Sequence, residues 1–470
     1  MAIPIVVLVL ISNLYIITSL MLSQLVEFNW FPSLQRAEAA VRHKESLSQN
    51  SSPTINTDNV IGTSVSVSKK VSSTDCINYI PTTRTITVSC TNPTRLTDVN
   101  NALHDNSILA KQTSDGVWFL SANLVISKGA IFHIDSTDTK WLKINSKVVG
   151  TSGVSSSSKS IRPAYWIDVH GSLKIDSVKI TSWDPTTNYY AISNGSRTGS
   201  GVFIMGAPRP SIVVENNATG TTDITHSEIA YLGYEEGKHK GGSGLSYYYG
   251  GDGSIIENND IHHVYFGLYT FGVGHMVVAN NIIRNSGHYG LDPHTGTHDM
   301  IIRNNTVYDN NGSGIICSLN CYNILIQNNK VHDNAGDGID FSRNMYNSVA
   351  RNNIIFNEPS GVYVSQSHRN QIYNNTISNS EEGIYVNSGS SNNKIHDNKI
   401  INSKSYAILV KGASVANTFY SNKIASDNKQ GLIISQDPTS KNNVFYNNQI
   451  ANPINVDSPH DTTRKEVSRK

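Results

Sequence analysis

Residues 287–294 read Gly-His-Tyr-Gly-Leu-Asp-Pro-His, which puts a phenol (Tyr289), a carboxyl (Asp292) and an imidazole (His294) within six residues. Asp292 and His294 are two apart, so an extended strand carries them on one face. Proton-active groups gathered in this way suit abstraction and return of a proton on a bound substrate. Pro293 sits between them, where it forfeits a strand hydrogen bond, and this argues for a local purpose. The plain alternative is a polar strand face with an aromatic at the preceding turn.

The elements that must hold these groups follow from an internal repeat. Asn-Asn pairs begin at Asn258, Asn280, Asn304, Asn328, Asn352 and Asn374, spaced 22, 24, 24, 24 and 22 residues. A small residue followed by alternating apolar positions runs in step, at Gly244, Gly267, Gly290, Gly314, Gly338, Gly361, Gly383, Ala407 and Gly431. Each unit holds short β segments and no helical pattern. The chain therefore reads as all-β, a single-stranded right-handed parallel β-helix with coils of 22–24 residues. The pattern continues less regularly upstream through residues 117–134, 164–180 and 200–205. No amphipathic helix stands out after the N-terminal apolar segment.

In such a solenoid, like positions stack from coil to coil about 4.8 Å apart. Counting two residues on from each Gly gives an outward column: Ser246, Tyr269, Asp292, Ile316, Asp340, Tyr363, Tyr385, Leu409 and Ile433. A companion column reads Tyr248, Phe271, His294, Ser318, Ser342, Ser365, Asn387, Lys411 and Ser435. Tyr248, Tyr269, Asp292, His294, Ser318 and Asp340 thus share one face, a groove suited to an extended polymer. Arg343 lies two coils beyond His294, where with Asp340 it would serve a neighbouring subsite or form a solvated pair. The Asn-Asn pairs read as structural, because Asn tolerates left-handed backbone and can bond along a stacked ladder.

The chain has 470 residues, a net charge of +1 and 16% charged residues, with no basic block of the kind a nucleic-acid binder needs. Asparagine fills the gap, with 53 in the chain and 37 after residue 250. Four cysteines exclude a disulfide-built scaffold. Cys76 and Cys90 flank a Thr-rich stretch, as a disulfide-closed hairpin would, and serve as the expected N-terminal cap. Cys317 has inward parity. Residues 1–26 carry no charged side chain, and Ile3 to Leu22 is a nearly unbroken apolar run, read as an anchor or signal. A Ser/Thr-rich linker (27–75), the β-helix (76–455) and a polar tail (456–470) follow. With the sequons at Asn194 and Asn217, this favours an extracellular, cell-surface or periplasmic, membrane-anchored protein. His262, His263, His275, His288, His298, His332 and His396 fall on turns of different coils without zinc-type spacing, so no metal site is expected from them. Asp292, Asp309, Asp333, Asp337 and Asp340 leave room for calcium. No other cofactor is implied, and a monomer is expected.

At Tyr289-Gly290-Leu291-Asp292-Pro293-His294 the sequence resembles the mannuronan C5-epimerases, which carry a Tyr-Gly-x-Asp-Pro-His motif. The resemblance spans roughly residues 160–410. It includes Ala230-Tyr231-Leu232-Gly233-Tyr234, Gly244-Leu245-Ser246-Tyr247, Gly314-Ile315-Ile316 with Ser318, and the Gly338 coil with Arg343-Asn344, and is nearest the periplasmic branch. It implies C5-epimerisation of uronates in a mannuronan-like acidic polysaccharide. His294 and Tyr289 would share the proton transfers, and Asp292 would hold the substrate carboxylate or orient His294. Tyr248, Tyr269, Ser318, Asp340 and Arg343 would bind substrate. The sequence departs from the family at Ser318, where the secreted branch has a second Asp. It departs from the periplasmic branch at Thr295, in place of a carboxylate, and at Leu319, in place of an Arg. Two other classes share these features: a polysaccharide lyase, and a non-catalytic glycan-binding or structural β-helix.

Overall fold

The structure is a computed structural model that describes residues 75–147, 164–192, 196–197, 203–204, 208–234, 242–427 and 429–450. The anchor or signal segment, nearly all of the linker and the polar tail lie outside these residues. Among the described residues no helix is long and apolar enough to cross a membrane.

A coil contributes one strand to each of three sheets, as Leu291–His294 (sheet 1), Ile301–Arg303 (sheet 2) and Thr306–Tyr308 (sheet 3) do. Each strand pairs in parallel with its equivalents one coil away, so Val277, Ile301 and Leu325 are successive partners. Stacking of like on like makes one continuous core. Leu268, Leu291, Ile315 and Ile339 form one inward column on sheet 1.

The Asn-Asn pairs turn the corner between sheets 2 and 3. Their first members take left-handed φ, from Asn258 (59°) and Asn304 (57°) to Asn374 (54°). Their second members are buried and form a ladder: Asn305 Nδ2 donates to Asn329 Oδ1 (3.0 Å), and Asn329 Nδ2 to Asn353 Oδ1 (3.0 Å). Each amide also donates to a backbone carbonyl, as Asn329 does to Ile302 (3.0 Å).

At the N-terminal end a hairpin of Ile77–Ile80 and Thr85–Val88 is closed by the Cys76–Cys90 disulfide (Cα–Cα 5.0 Å). Its second strand pairs in parallel with Asn123–Ile126, so the hairpin forms the N-terminal edge of sheet 1. The expectation of no further helix fails here, because Leu96–Leu103 is α-helical. It has only eight residues, too few for a periodic pattern. Asp98 caps it by accepting from Arg95 N (2.8 Å), and it buries Leu96 and Val99.

Two other expectations are corrected. The segment around residue 203 is not a coil strand: Phe203–Ile204 pairs antiparallel with Ser196–Arg197, and the coil's sheet 1 strand is Ser211–Val214. The outward column also slips at its end. Leu409 pairs with Ser435 rather than Ile433, because a 3-10 turn at Gln430–Leu432 consumes the residues after Gly431. Cys317 and Cys321 are both buried and not joined. Cys321 Sγ donates instead to the Ser318 carbonyl (3.1 Å).

Candidate active site on sheet 1

The parity counted from the glycines holds through the coils that matter. Ser246 pairs with Tyr269, Tyr269 with Asp292, and Ile316 with Asp340. Tyr248, Phe271, His294, Ser318 and Ser342 form the companion column. The strand loosens at the proline: Leu291–Ile315 and His294–Ser318 are in register, while Asp292 and Pro293 have no ladder partner on that side. Proline has no N–H to donate there.

The outward column is not an open face, contrary to the sequence reading. Asp292 and Asp340 are only 2% and 7% exposed, and Ser318 is fully buried. By strand parity they lie opposite the core cluster, which contains Leu291 and Ile315 but not Ile316. Among the described residues neither Asp292 Oδ1 nor Asp340 Oδ1 has a hydrogen-bond partner. Burial pushes both carboxyls well above their ordinary range, with Arg343 acting in the opposite direction.

Arg343 departs most from expectation. Rather than pairing with Asp340 in solvent, its guanidinium reaches back to the preceding coils. Nη2 donates to Ser318 Oγ and lies 3.3 Å from His294 Nε2. Leu319 and Arg343 hold equivalent corner positions one coil apart, donating to the carbonyls of Ser342 and Ser365 in turn. The guanidinium beside His294 thus comes from the coil after that of Leu319.

The same contact sets the state of His294. A guanidinium only donates, so Nε2 must present its lone pair and Nδ1 must carry the proton. Nδ1 then donates to Thr295 Oγ1 (2.6 Å). Thr295, a departure from the resembled motif, therefore orients the imidazole, a role that Asp292 does not fill. Burial first, and Arg343 second, lower the His294 pKa to about 4, so the ring is neutral at pH 7.

Rings continue the site along the groove. His294 lies 5.5 Å from Tyr269 and 6.1 Å from Phe271, and Tyr248 contacts both of these, at 5.6 and 6.1 Å. Burial, and then Asp292, raise the Tyr269 phenol above its ordinary value. The ring neighbours of Tyr289 among the described residues are His288 and Phe266. Tyr289 packs at the other end of the strand, against His288 (3.9 Å) and Phe266 (5.7 Å), and Phe266 leads on to Tyr269 (5.5 Å). Tyr289 lies across Gly312, where an added Cβ would come within 2.5 Å of its Cδ1. Sequence reasoning missed Phe266 and Gly312, although Phe266 stands immediately before the Gly267 marker. The five aspartates weighed for calcium divide between two regions, and Asp337 and Asp292 both lie close enough to Asp340 to raise its carboxyl further. Asp292 and Asp340 lie on sheet 1, while Asp309 and Asp333 take left-handed φ at the corner after sheet 3 strands.

Comparison with solved structures finds the same architecture elsewhere. The periplasmic alginate epimerase AlgG superposes with a TM-score of 0.64 at 20% identity, covering 77% of this chain and 84% of that one. The mannuronan C-5 epimerase AlgE4 A-module of Azotobacter vinelandii gives 0.39 at 11% identity, covering 73% and 91%. At 20% identity the likeness to AlgG is one of fold. A search of curated proteins finds no match. The family model for the right handed beta helix region matches residues 191–321 and 315–450, more than half of the chain. With its parallel coils and stacked corners, the chain belongs to the right-handed β-helix family.

Proposed function

We propose that this chain is a polysaccharide-modifying enzyme that epimerises uronate residues at C5 in a mannuronan-like polymer. The observation that carries the reading is the meeting of Arg343, Ser318 and a neutral His294 on the groove face. Removing H5 leaves an enolate-like charge on the sugar carboxylate, which needs a preorganised neutraliser. Arg343 fills that role when its guanidinium turns from His294 to the substrate. The turn frees the Nε2 lone pair to take the proton. Asp292, whose carboxyl burial raises well above its ordinary range, donates a hydrogen bond to the same carboxylate when protonated. A phenol, Tyr289 or Tyr269, returns a proton from the opposite side of the ring, and Tyr→Phe substitutions identify which. Tyr248, Tyr269 and Asp340 bind neighbouring sugars.

The reading agrees with AlgG, which shares the fold and is named as a periplasmic alginate epimerase. The Cys76–Cys90 disulfide supports a location outside the cytoplasm, with the apolar N-terminal segment as anchor or signal. Proton NMR of polymannuronate incubated with the protein in deuterated water tests the proposal. Deuterium at C5 in uncleaved chains is the expected result. Ultraviolet absorbance from unsaturated uronate ends would make it a lyase. Binding without either change would make it a glycan-binding module.

A further inference from the structure

We propose that His275, His298 and Asp299 form a binding site for a divalent transition-metal ion of the zinc class, at the corner that follows the sheet 1 strands. Each side chain offers one ligand atom, and these atoms lie within 4.8 Å of one another. Zinc bound tetrahedrally by imidazole and carboxylate at about 2.0–2.2 Å needs ligand atoms roughly 3.4 Å apart. Small side-chain rotations close that gap. Two imidazoles and one carboxylate suit zinc, copper or nickel better than calcium, which takes an all-oxygen shell.

Three features hold the donors in place. The backbone is fixed, because His275 N donates to the His298 carbonyl (3.1 Å). Asp299 is buried and pinned from both sides, by His298 Nδ1 on Oδ2 (2.9 Å) and Asn323 Nδ2 on Oδ1 (3.1 Å). Gly274 makes room for the ring: a Cβ there would meet His298 Cε1 at 2.6 Å.

Stacking accounts for His298 without a metal, since its ring continues a column with Tyr322 (5.0 Å), Tyr346 and His368. It does not account for His275, which is exposed and stands edge-on to His298 (5.6 Å, 89°). His332–Asp333 and His396–Asp397 repeat the His–Asp pair at 2.7 Å and belong to no three-ligand cluster among the described residues. They serve as internal controls. The sequence hid the site because its two histidines are 23 residues apart, the length of one coil.

The test is calorimetric titration of the chelator-stripped full chain with Zn²⁺, with Co²⁺ ligand-field absorption as the spectroscopic check. One ion per chain is expected. His275→Ala should weaken binding by more than the about 10–100-fold that a lost outer-shell partner costs. Gly274→Ala should also weaken it, although it removes no ligand, and His332→Ala should leave it unchanged. Circular dichroism guards against unfolding, and exposed His275 is the variant least prone to it. Absence of uptake, or uptake indifferent to His275→Ala and Gly274→Ala, would overturn the site.

Discussion

The corner between sheets 2 and 3 and the outward face of sheet 1 both bury polar side chains, and they treat them in opposite ways. At the corner Asn329 meets every demand. Its amide donates to Ile302 O and Asn353 Oδ1, and its oxygen accepts from the backbone and side chain of Asn305. On sheet 1, Asp292 and Asp340 keep oxygens with no hydrogen-bond partner among the described residues, and Arg343 turns to a serine and a histidine rather than to either carboxylate. A buried polar group that is satisfied stabilises and specifies, whereas one left unpaired costs stability. The corner is built for the fold. The sheet 1 face carries a cost that, on the proposed function, a bound sugar relieves.

The contrast is broken most severely at the guanidinium. Arg343→Leu should reduce turnover by about 10²–10³-fold, the usual loss of a preorganised oxyanion partner, with stability little changed. Adding Leu319→Arg to that variant should restore much of the activity, because the two positions are equivalent one coil apart. Steady-state kinetics on polymannuronate checks both.

The corner should fail in the other currency. Asn329→Ala orphans the Asn305 N–H and the Ile302 carbonyl, and should cost about 2–5 kcal/mol in urea unfolding. Turnover per folded molecule should hold. Equal damage to stability from Arg343→Leu would erase the distinction between the two regions.

Smaller effects appear with pH. Asp340 has a folded pKa raised above its ordinary 3.8. Its contribution is therefore fully present below about pH 4 and is lost as pH rises toward the folded value. Asp340→Asn should flatten the decline in unfolding free energy between acidic and neutral pH. His294 has the opposite sign. Its pKa is lowered from 6.5 to about 4, so its contribution is present above 6.5 and is lost as pH falls toward 4. The acid limb of kcat/KM should accordingly lie near pH 4 rather than 6.5.

Much of the fold was legible because each coil repeats one pattern. A 22–24 residue period fixed coil length, and left-handed Asn residues marked one corner. Strand parity placed His294 and Ser318 in one column, because stacking preserves register. What the sequence hid lay between coils. A long side chain such as Arg343 can reach back from its own coil, and parity does not show that Asp292 is outward yet buried. Tyr289 sits near His294 in sequence, but the turn at Gly290 sends it to the far end of the strand. The short helix at Leu96–Leu103 and the slip at Gln430–Leu432 occur where the repeat itself lapses.

The central claim is that the His294 imidazole moves the C5 proton, and solvent deuterium entering C5 measures that step without requiring net conversion. Wild-type protein should incorporate deuterium into intact polymannuronate. His294→Ala, verified as folded by circular dichroism, should lose about 10²–10⁴ of the rate. Undiminished incorporation in that variant would contradict the account.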